Sequence, residues 1–256
     1  MIPGLDFSGI VVESSSKKFI KGEKVLATGS GLGETINGGF SEYAYVPDNI
    51  LINIPENLTL LSAMQIGTAG FTAAISIEKM LLNKQKISSG PIVITGASGG
   101  VGSHCINILN NIGFKTIAVT RNKKSISYLK EIGASKVTMY PDKLIKKPLN
   151  KQLFAGAIDN VGGEITEAVI NRFNIGGRMS ICGQISGYNS ETLQPGPRNW
   201  INILVKRLKV QGFIVFDYQS RAKEAFVDMS KWMAEGKLQH KNHIVDGLEN
   251  AVSSLK

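Results

Sequence analysis

The chain has 256 residues, 43% of them hydrophobic and 19% charged, which suits one large core or two linked ones and excludes a disordered chain. Its formal charge of +9 permits attraction to polyanions, but lysines such as Lys17, Lys18, Lys84, Lys86, Lys146, Lys147 and Lys151 are scattered without stacking aromatics among them, so no nucleic-acid partner is expected. Two cysteines, Cys105 and Cys182, make no disulfide framework, the N-terminus lacks a signal-peptide pattern, and no apolar run approaches the roughly 20 residues that cross a bilayer; the expectation is a cytoplasmic protein with no membrane partner.

In chain order, residues 1 to about 55 read as antiparallel β. Short segments at 9–13, 24–28 and 40–46 are separated by glycine-rich turns, including the hairpin signal Asn37-Gly38-Gly39. After Pro55 the pattern becomes helical over 60–82, with an interruption between Gly67 and Gly70. From Pro91 strands alternate with helices. Strands are expected at 91–95, 116–119, 136–140, 155–159, 178–182 and 210–216, and helices at 124–132, 164–173, 200–208 and 221–234. Another helix follows the 91–95 strand, with Val101, Cys105, Ile108, Leu109 and Ile112 on one face and Gly113 at its end. This alternation predicts an α/β fold, a doubly wound parallel sheet whose ligands sit at the carboxyl ends of the strands, beside a smaller β domain.

The richest stretch is Thr95-Gly96-Ala97-Ser98-Gly99-Gly100-Val101-Gly102, where a strand turns into a helix. Ala97, Gly99 and Gly102 make the A-x-G-x-x-G form of the dinucleotide fingerprint: a tight turn, backbone free to approach a pyrophosphate, and close packing of helix on sheet. The helix start that follows favours an anion. About 20 residues on, where an NAD site offers a carboxylate to the ribose, stand Thr120-Arg121-Asn122-Lys123-Lys124. Three bases and no acid suit the 2′-phosphate of NADP. No metal is expected: His240 and His243 form H-x-x-H without a third ligand in view, and His104 reads as a helix residue. Ser98 lacks the G-x-S-x-G spacing of a hydrolase elbow.

Several segments carry a resemblance. Gly4-Leu5-Asp6-Phe7-Ser8-Gly9, Gly38-Gly39-Phe40-Ser41-Glu42-Tyr43-Ala44 and Ile66-Gly67-Thr68-Ala69-Gly70-Phe71-Thr72-Ala73, with the glycine turn, look like the acrylyl-CoA reductase type. Asp159-Asn160-Val161-Gly162-Gly163, Ile181-Cys182-Gly183-Gln184 through Asn189, Pro195-Gly196-Pro197 and Gln211 to Phe216 are similar to prostaglandin and alkenal reductases. Together they resemble the zinc-independent quinone oxidoreductase and enone reductase branch of the medium-chain dehydrogenase/reductase superfamily. Leu5 and Asp6 stand where zinc enzymes carry His and Glu, so the resemblance implies no catalytic zinc.

The resemblance implies a GroES-like β domain at 1–62, a Rossmann NADP-binding domain at 63–235 and a return segment at 236–256, with catalysis in the cleft between the domains. Family chains carry further strands before the Gly4 motif and after Ala251 that have no counterpart here, so the small domain is expected to be incomplete. NADPH contacts are implied at Ala97, Ser98, Gly99, Gly100, Val101 and Gly102 for the pyrophosphate, and at Tyr140 for the 2′-phosphate region. Asn160 is implied for the nicotinamide half, Cys182, Gly183 and Tyr188 for the cofactor loop that follows, and Phe213, Ile214 and Val215 for the nicotinamide edge. The family's phosphate-binding lysine aligns with Ser125, which leaves Arg121, Lys123 or Lys124 to serve. Read locally, Tyr140 is equally a strand-end aromatic, Asn160 a turn former and Cys182 a buried strand residue. The implied reaction is hydride transfer from NADPH to an enone, an enal or a quinone, in a homodimer paired through the strand at 210–216; the alternative is an NADPH-binding regulatory protein or inactive fragment. The proton donor is unknown, with Tyr43 and Tyr188 as weak candidates and Tyr43 expected to pack in a hairpin.

Overall fold

Short apolar segments near the N-terminus pair into a small antiparallel sheet of order β1-β2-β3: β1 (Asp6–Ile10), β2 (Lys24–Thr28) and β3 (Leu51–Asn53). Leu26 lies opposite Ser8 on one side and Ile52 on the other. The computed structural model describes residues 1–140, 153–192 and 196–255; Lys146, Lys147, Lys151 and Pro195 lie outside the described residues. Ala27, Leu32 and Ile50 form the core of this sheet, with Phe7, Ile36, Val46 and Leu51 packed around them.

Two expectations fail in this region. The segment 40–46 joins no strand ladder, and Tyr43 and Tyr45 are 75% and 99% exposed, so Tyr43 does not pack in a hairpin. Asn37-Gly38-Gly39 instead turns the chain back along its own first residues: the N–H groups of Gly38, Gly39 and Phe40 donate to the carbonyls of Ile2, Gly4 and Pro3. The strand expected at 9–13 is centred three residues earlier, and β3 was hidden by its shortness.

Helix α1 (Leu60–Leu82) begins at a reciprocal cap, Thr59 N–H donating to Ser62 Oγ and Ser62 N–H to Thr59 Oγ1. It breaks where the glycines predicted, at Gly67 (φ 49°, ψ −162°). The carboxylate of Asp6 staples the break, accepting from the N–H of Thr68 at 2.7 Å, its hydroxyl at 2.5 Å and the N–H of Gly29 at 3.0 Å. A Cβ at Gly67 would stand 2.7 Å from that carboxylate, so glycine is required for space as well as for φ. At 23 residues and mean hydropathy 1.4, α1 is long and apolar enough to cross a membrane by length and composition, which corrects the expectation above; its interspersed Ser, Thr and Gln disguise it in the sequence. More than half of its most apolar 18-residue stretch is buried inside the protein, Ile66, Phe71, Ile75 and Met80 included, as in a core helix.

The larger sheet is wholly parallel: β4 (Ile92–Ile94), β5 (Thr116–Thr120), β6 (Lys136–Met139), β7 (Phe154–Asp159), β8 (Phe173–Ile181) and β9 (Lys209–Gly212), in the order β6-β5-β4-β7-β8-β9. β4, β5 and β7 are buried along their whole length, as continuous apolar runs covered on both faces must be. Helices α2 (Gly100–Asn111), α3 (Ile126–Glu131), α4 (Gly163–Asn171) and α5 (Ile201–Val205) connect the strands. Ile165, Ala168 and Val169 of α4 pack on Val93, Phe154 and Met179, and the rings of Phe154 and Phe173 meet edge-on at 4.9 Å.

The chain divides into two compact units, one of residues 1–71 with 215–256 and one of residues 72–214. These boundaries differ from those expected at 62/63 and 235/236. Helix α6 (Ala222–Ala234), expected in the Rossmann part, packs with β3 in the first unit because the strand expected at 210–216 ends at Gly212 and a 3₁₀ segment, Val215–Arg221, follows.

Candidate functional site

Strand order reverses between β4 and β7, whose crossovers run to opposite sides of the sheet; this is the switch point at which open α/β sheets bind ligands. The glycine turn leaves β4 here. Gly96 takes φ 58°, Ala97 is fully buried with its N–H on Val119 O, and Ser98, Gly99 and Gly100 are exposed. No side chain caps α2, so the N–H groups of its first turn, Gly100 and half-buried Val101 among them, have no intrahelical acceptor and face outward with the positive end of the helix dipole. Gly102 is buried, and a Cβ there would lie 2.5 Å from Gly96 O. The turn therefore has the tight bend, the bare backbone and the close helix packing that the motif requires.

The basic loop stands beside it. Thr120, at the end of β5, shares hydroxyl contacts with Ser98 at 3.0 Å and Ser125 at 3.4 Å, and its Oγ1 accepts from Asn122 N–H at 3.1 Å, tying the loop to the glycine turn. Arg121, Lys123 and Lys124 are exposed. Arg121 lies over the ring of Tyr140, its guanidinium carbon 4.8 Å from the ring centroid, so the strand ends of β5 and β6 present one guanidinium over an aromatic face. Burial raises the Tyr140 phenol above its ordinary value, opposed by its hydrogen bond with Arg121. Ser125, where the family's lysine aligns, is buried and donates to Asn122 O.

Across the switch point, Asn160 follows β7, and its side chain is engaged at both ends: Nδ2 donates to Thr95 O at 2.8 Å and Oδ1 accepts from the Cys182 thiol at 3.1 Å. Burial pushes that thiol up to about 11, against a hydrogen bond from Ser76, so Cys182 is a neutral donor. Gly183 N–H donates to Asp159 O, and a Cβ at Gly183 would stand 3.1 Å from Asn160 O. Tyr188 is 68% exposed, its hydroxyl accepting from Gln184 N–H at 3.2 Å, which closes the loop after β8. Phe213 and Ile214 follow the end of β9 on the same rim, whereas Val215 belongs to the first unit. Tyr43, also in the first unit, lines an open cleft of about 450 Å³ with Phe7, Val12, Phe19, Tyr45 and Leu51.

Among the described residues no group of three or more His, Cys, Asp or Glu is placed to hold a metal. At the position of the family's zinc motif, Leu5 offers no donor and the Asp6 carboxylate is committed to Gly29 and Thr68; these residues do not fit zinc. Sequence reasoning missed Thr95, Thr120 and Asp159, which lock the strand ends together. Their signal was weak, a polar residue closing each buried strand.

Residues 1–56 match the alcohol dehydrogenase GroES-like domain family, and residues 100–235 match the zinc-binding dehydrogenase family. The chain belongs to the medium-chain dehydrogenase/reductase superfamily. It is 39% identical over 212 residues to the Escherichia coli protein named "Probable acrylyl-CoA reductase AcuI", covering 83% of this chain and 64% of that one. Prostaglandin reductase 1 of Bos taurus is 32% identical over 248 residues, 94% of this chain and 72% of its own. In solved structures, the yhdH oxidoreductase from Salmonella enterica in complex with NADP superposes with a TM-score of 0.80 at 35% identity, covering 93% of this chain and 72% of that chain. Bacillus subtilis yhfP with NAD bound gives 0.79 at 32% identity, covering 99% and 76%. The chain spans 57% to 64% of the length of the acrylyl-CoA and quinone reductase relatives it matches.

Proposed function

We propose that the chain binds NADPH along the carboxyl ends of the parallel strands and reduces the carbon–carbon double bond of an enone or enal, or a quinone. The observation that carries this reading is Arg121 over the ring of Tyr140 beside the uncapped start of α2, at the switch point, with no carboxylate in the loop after β5. In this reading Ala97, Ser98, Gly99, Gly100, Val101 and Gly102 hold the pyrophosphate through backbone N–H groups, and Arg121, Lys123, Lys124 and Tyr140 hold the 2′-phosphate. Asn160, Cys182, Gly183, Tyr188, Phe213, Ile214 and Val215 serve the nicotinamide half. When bound, NADPH supplies the hydride; the residues of the chain orient it and exclude water. Tyr43 and Tyr188, both exposed, are the candidates for supplying the proton. Zinc is assigned no part in this reading, since Leu5 offers no donor and the Asp6 carboxylate is held by Gly29 and Thr68.

Similarity to reductases of acrylyl-CoA, itself an α,β-unsaturated thioester, and of prostaglandins supports the substrate class. The protein acts in the cytoplasm on a small molecule, without nucleic acid or membrane. It works as a homodimer through the β9 edge, flanked by exposed Trp200, Leu204 and Val205; only monomer in sedimentation at micromolar concentration would refute the dimer.

Titration with NADPH and NADH, followed by nicotinamide fluorescence, is the test, then oxidation of NADPH in the presence of enones and quinones. Tight NADPH-selective binding with substrate-dependent oxidation is expected, and no binding by a folded sample overturns the reading. A second reading, an NADPH-binding regulatory protein, is favoured by the open cleft and exposed Tyr43 and Tyr45 of the first unit. Binding without turnover of any enone or quinone would select it.

A further inference from the structure

The end of β7 carries a carboxylate that none of these roles uses. Asp159 is 1% exposed, and its partners are neutral donors: Oδ1 accepts from the Thr95 hydroxyl at 2.6 Å and from the N–H groups of Val161 and Gly162 at 3.1 and 3.4 Å, and Oδ2 accepts from the Thr166 hydroxyl. The Thr95 hydroxyl has one proton, and giving it to Asp159 Oδ1 leaves the hydroxyl's lone pairs outward. One of them takes the backbone N–H of Asn160 at 2.9 Å. The Thr95 carbonyl takes the side-chain amide of Asn160, which thereby aims Oδ1 at the Cys182 thiol. The same loop lies against the glycine turn: a Cβ at Gly96 would meet Val161 Cγ2 at 3.3 Å and Asn160 Cβ at 3.4 Å.

We propose that Asp159 and Thr95 are positioning residues that set the orientation of Asn160 and the 161–162 loop against the glycine turn, and through them the seat of the nicotinamide half of the cofactor. This rests on the NADPH reading above. The knot joins the ends of β4, β7 and β8 and touches neither the basic loop nor Tyr140 by any of these bonds, so its influence is confined to one half of the ligand.

The test compares the dissociation constants of NADPH and of 2′,5′-ADP, which carries only the adenosine and phosphate half, for the full chain and for Thr95→Val, Thr95→Ser and Asp159→Asn. NADPH binding is expected to weaken about tenfold in Thr95→Val and Asp159→Asn, the worth of one hydrogen bond to a charged group, while 2′,5′-ADP binding stays within about twofold and Thr95→Ser restores NADPH. Thr95→Val removes one hydroxyl with little change of shape and keeps the test alive where Asp159→Asn does not fold. Equal weakening of both ligands marks a general structural tie and overturns the proposal, as does no weakening of either. If the unaltered chain fails to bind 2′,5′-ADP, the cofactor reading itself falls and the proposal with it.

Discussion

Replacing Gly102 by alanine tests how closely α2 must approach the strand it follows. The new methyl would lie 2.5 Å from Gly96 O, 2.7 Å from Ala97 Cα and 2.9 Å from Ala97 C, all backbone atoms that cannot swing aside. To reach ordinary contact the first turn of α2 has to move by about 0.9 Å, lifting Cys105 and Leu109 from a core in which both are buried. Alanine recovers ~1 kcal/mol of helix propensity. Overpacking costs ~1–3 kcal/mol, and immovable backbone places this site at the upper end. We expect a net loss of ~1–2 kcal/mol in urea denaturation followed by circular dichroism, a few degrees of Tm. Gly99→Ala is the matched control: its Cβ has one neighbour, Gly96 O at 3.3 Å, and its φ of −80° suits any residue. Its stability should stay within ~0.5 kcal/mol of the parent while NADPH binding weakens, because a methyl then stands where bare backbone is needed. A Gly102→Ala chain as stable as the parent would refute the packing argument, and a Gly99→Ala chain with undiminished NADPH affinity would refute the pyrophosphate assignment.

Arg121→Ala should weaken NADPH binding by about tenfold or more and NADH binding far less, since only the former carries the group that a guanidinium reads; equal losses in fluorescence titration would sink the assignment. Asp6→Ala leaves the N–H and hydroxyl of Thr68 at the α1 break without their acceptor, while Gly29 N–H keeps the Leu5 carbonyl, and a loss of about 2–3 kcal/mol in chemical denaturation is expected; a change below measurement error would show that Gly67 bends the helix unaided. Stability should also depend on alkaline pH. Cys182 holds its proton to about 11 in the folded chain against an ordinary value of 9.0, and Cys105 is raised by burial too. Between pH 9 and 11 the unfolded chain therefore binds fewer protons than the folded one, and stability falls as pH rises, by up to ~1.4 kcal/mol per pH unit for each thiol. A flat profile across that window, or one unchanged by Cys182→Ala, would contradict the burial of the thiol.

What could be read from the sequence was what depends on neighbours along the chain. The glycine turn, the break at Gly67 and the parallel strands are written in local periodicity and in residues that alone adopt the required φ, and the structure shows each of them. The segment 40–46 carries the aromatics of a strand, but pairing needs a partner and a register that no local pattern supplies, and its tyrosines stay in solvent. Asp159 was illegible for the same reason. In sequence it is an acid before a turn, and its meaning comes from Thr95, 64 positions away, and Thr166, one helical turn into α4. The residues that would touch a ligand announce themselves by chemistry that has no use in a core: bare glycines, three bases in four positions, an aromatic closing a strand. Those that hold the ligand-facing residues in place use the same hydroxyls and carboxylates as any turn. Only the observation that Asp159 is buried, with both oxygens occupied, separates it from the surface acids it resembles. Substitutions at the exposed members of the first class, Gly99 and Arg121, should therefore alter binding and leave the melt unchanged, whereas substitutions at the second should alter both, with the bias toward one half of the cofactor that the Thr95 and Asp159 variants measure.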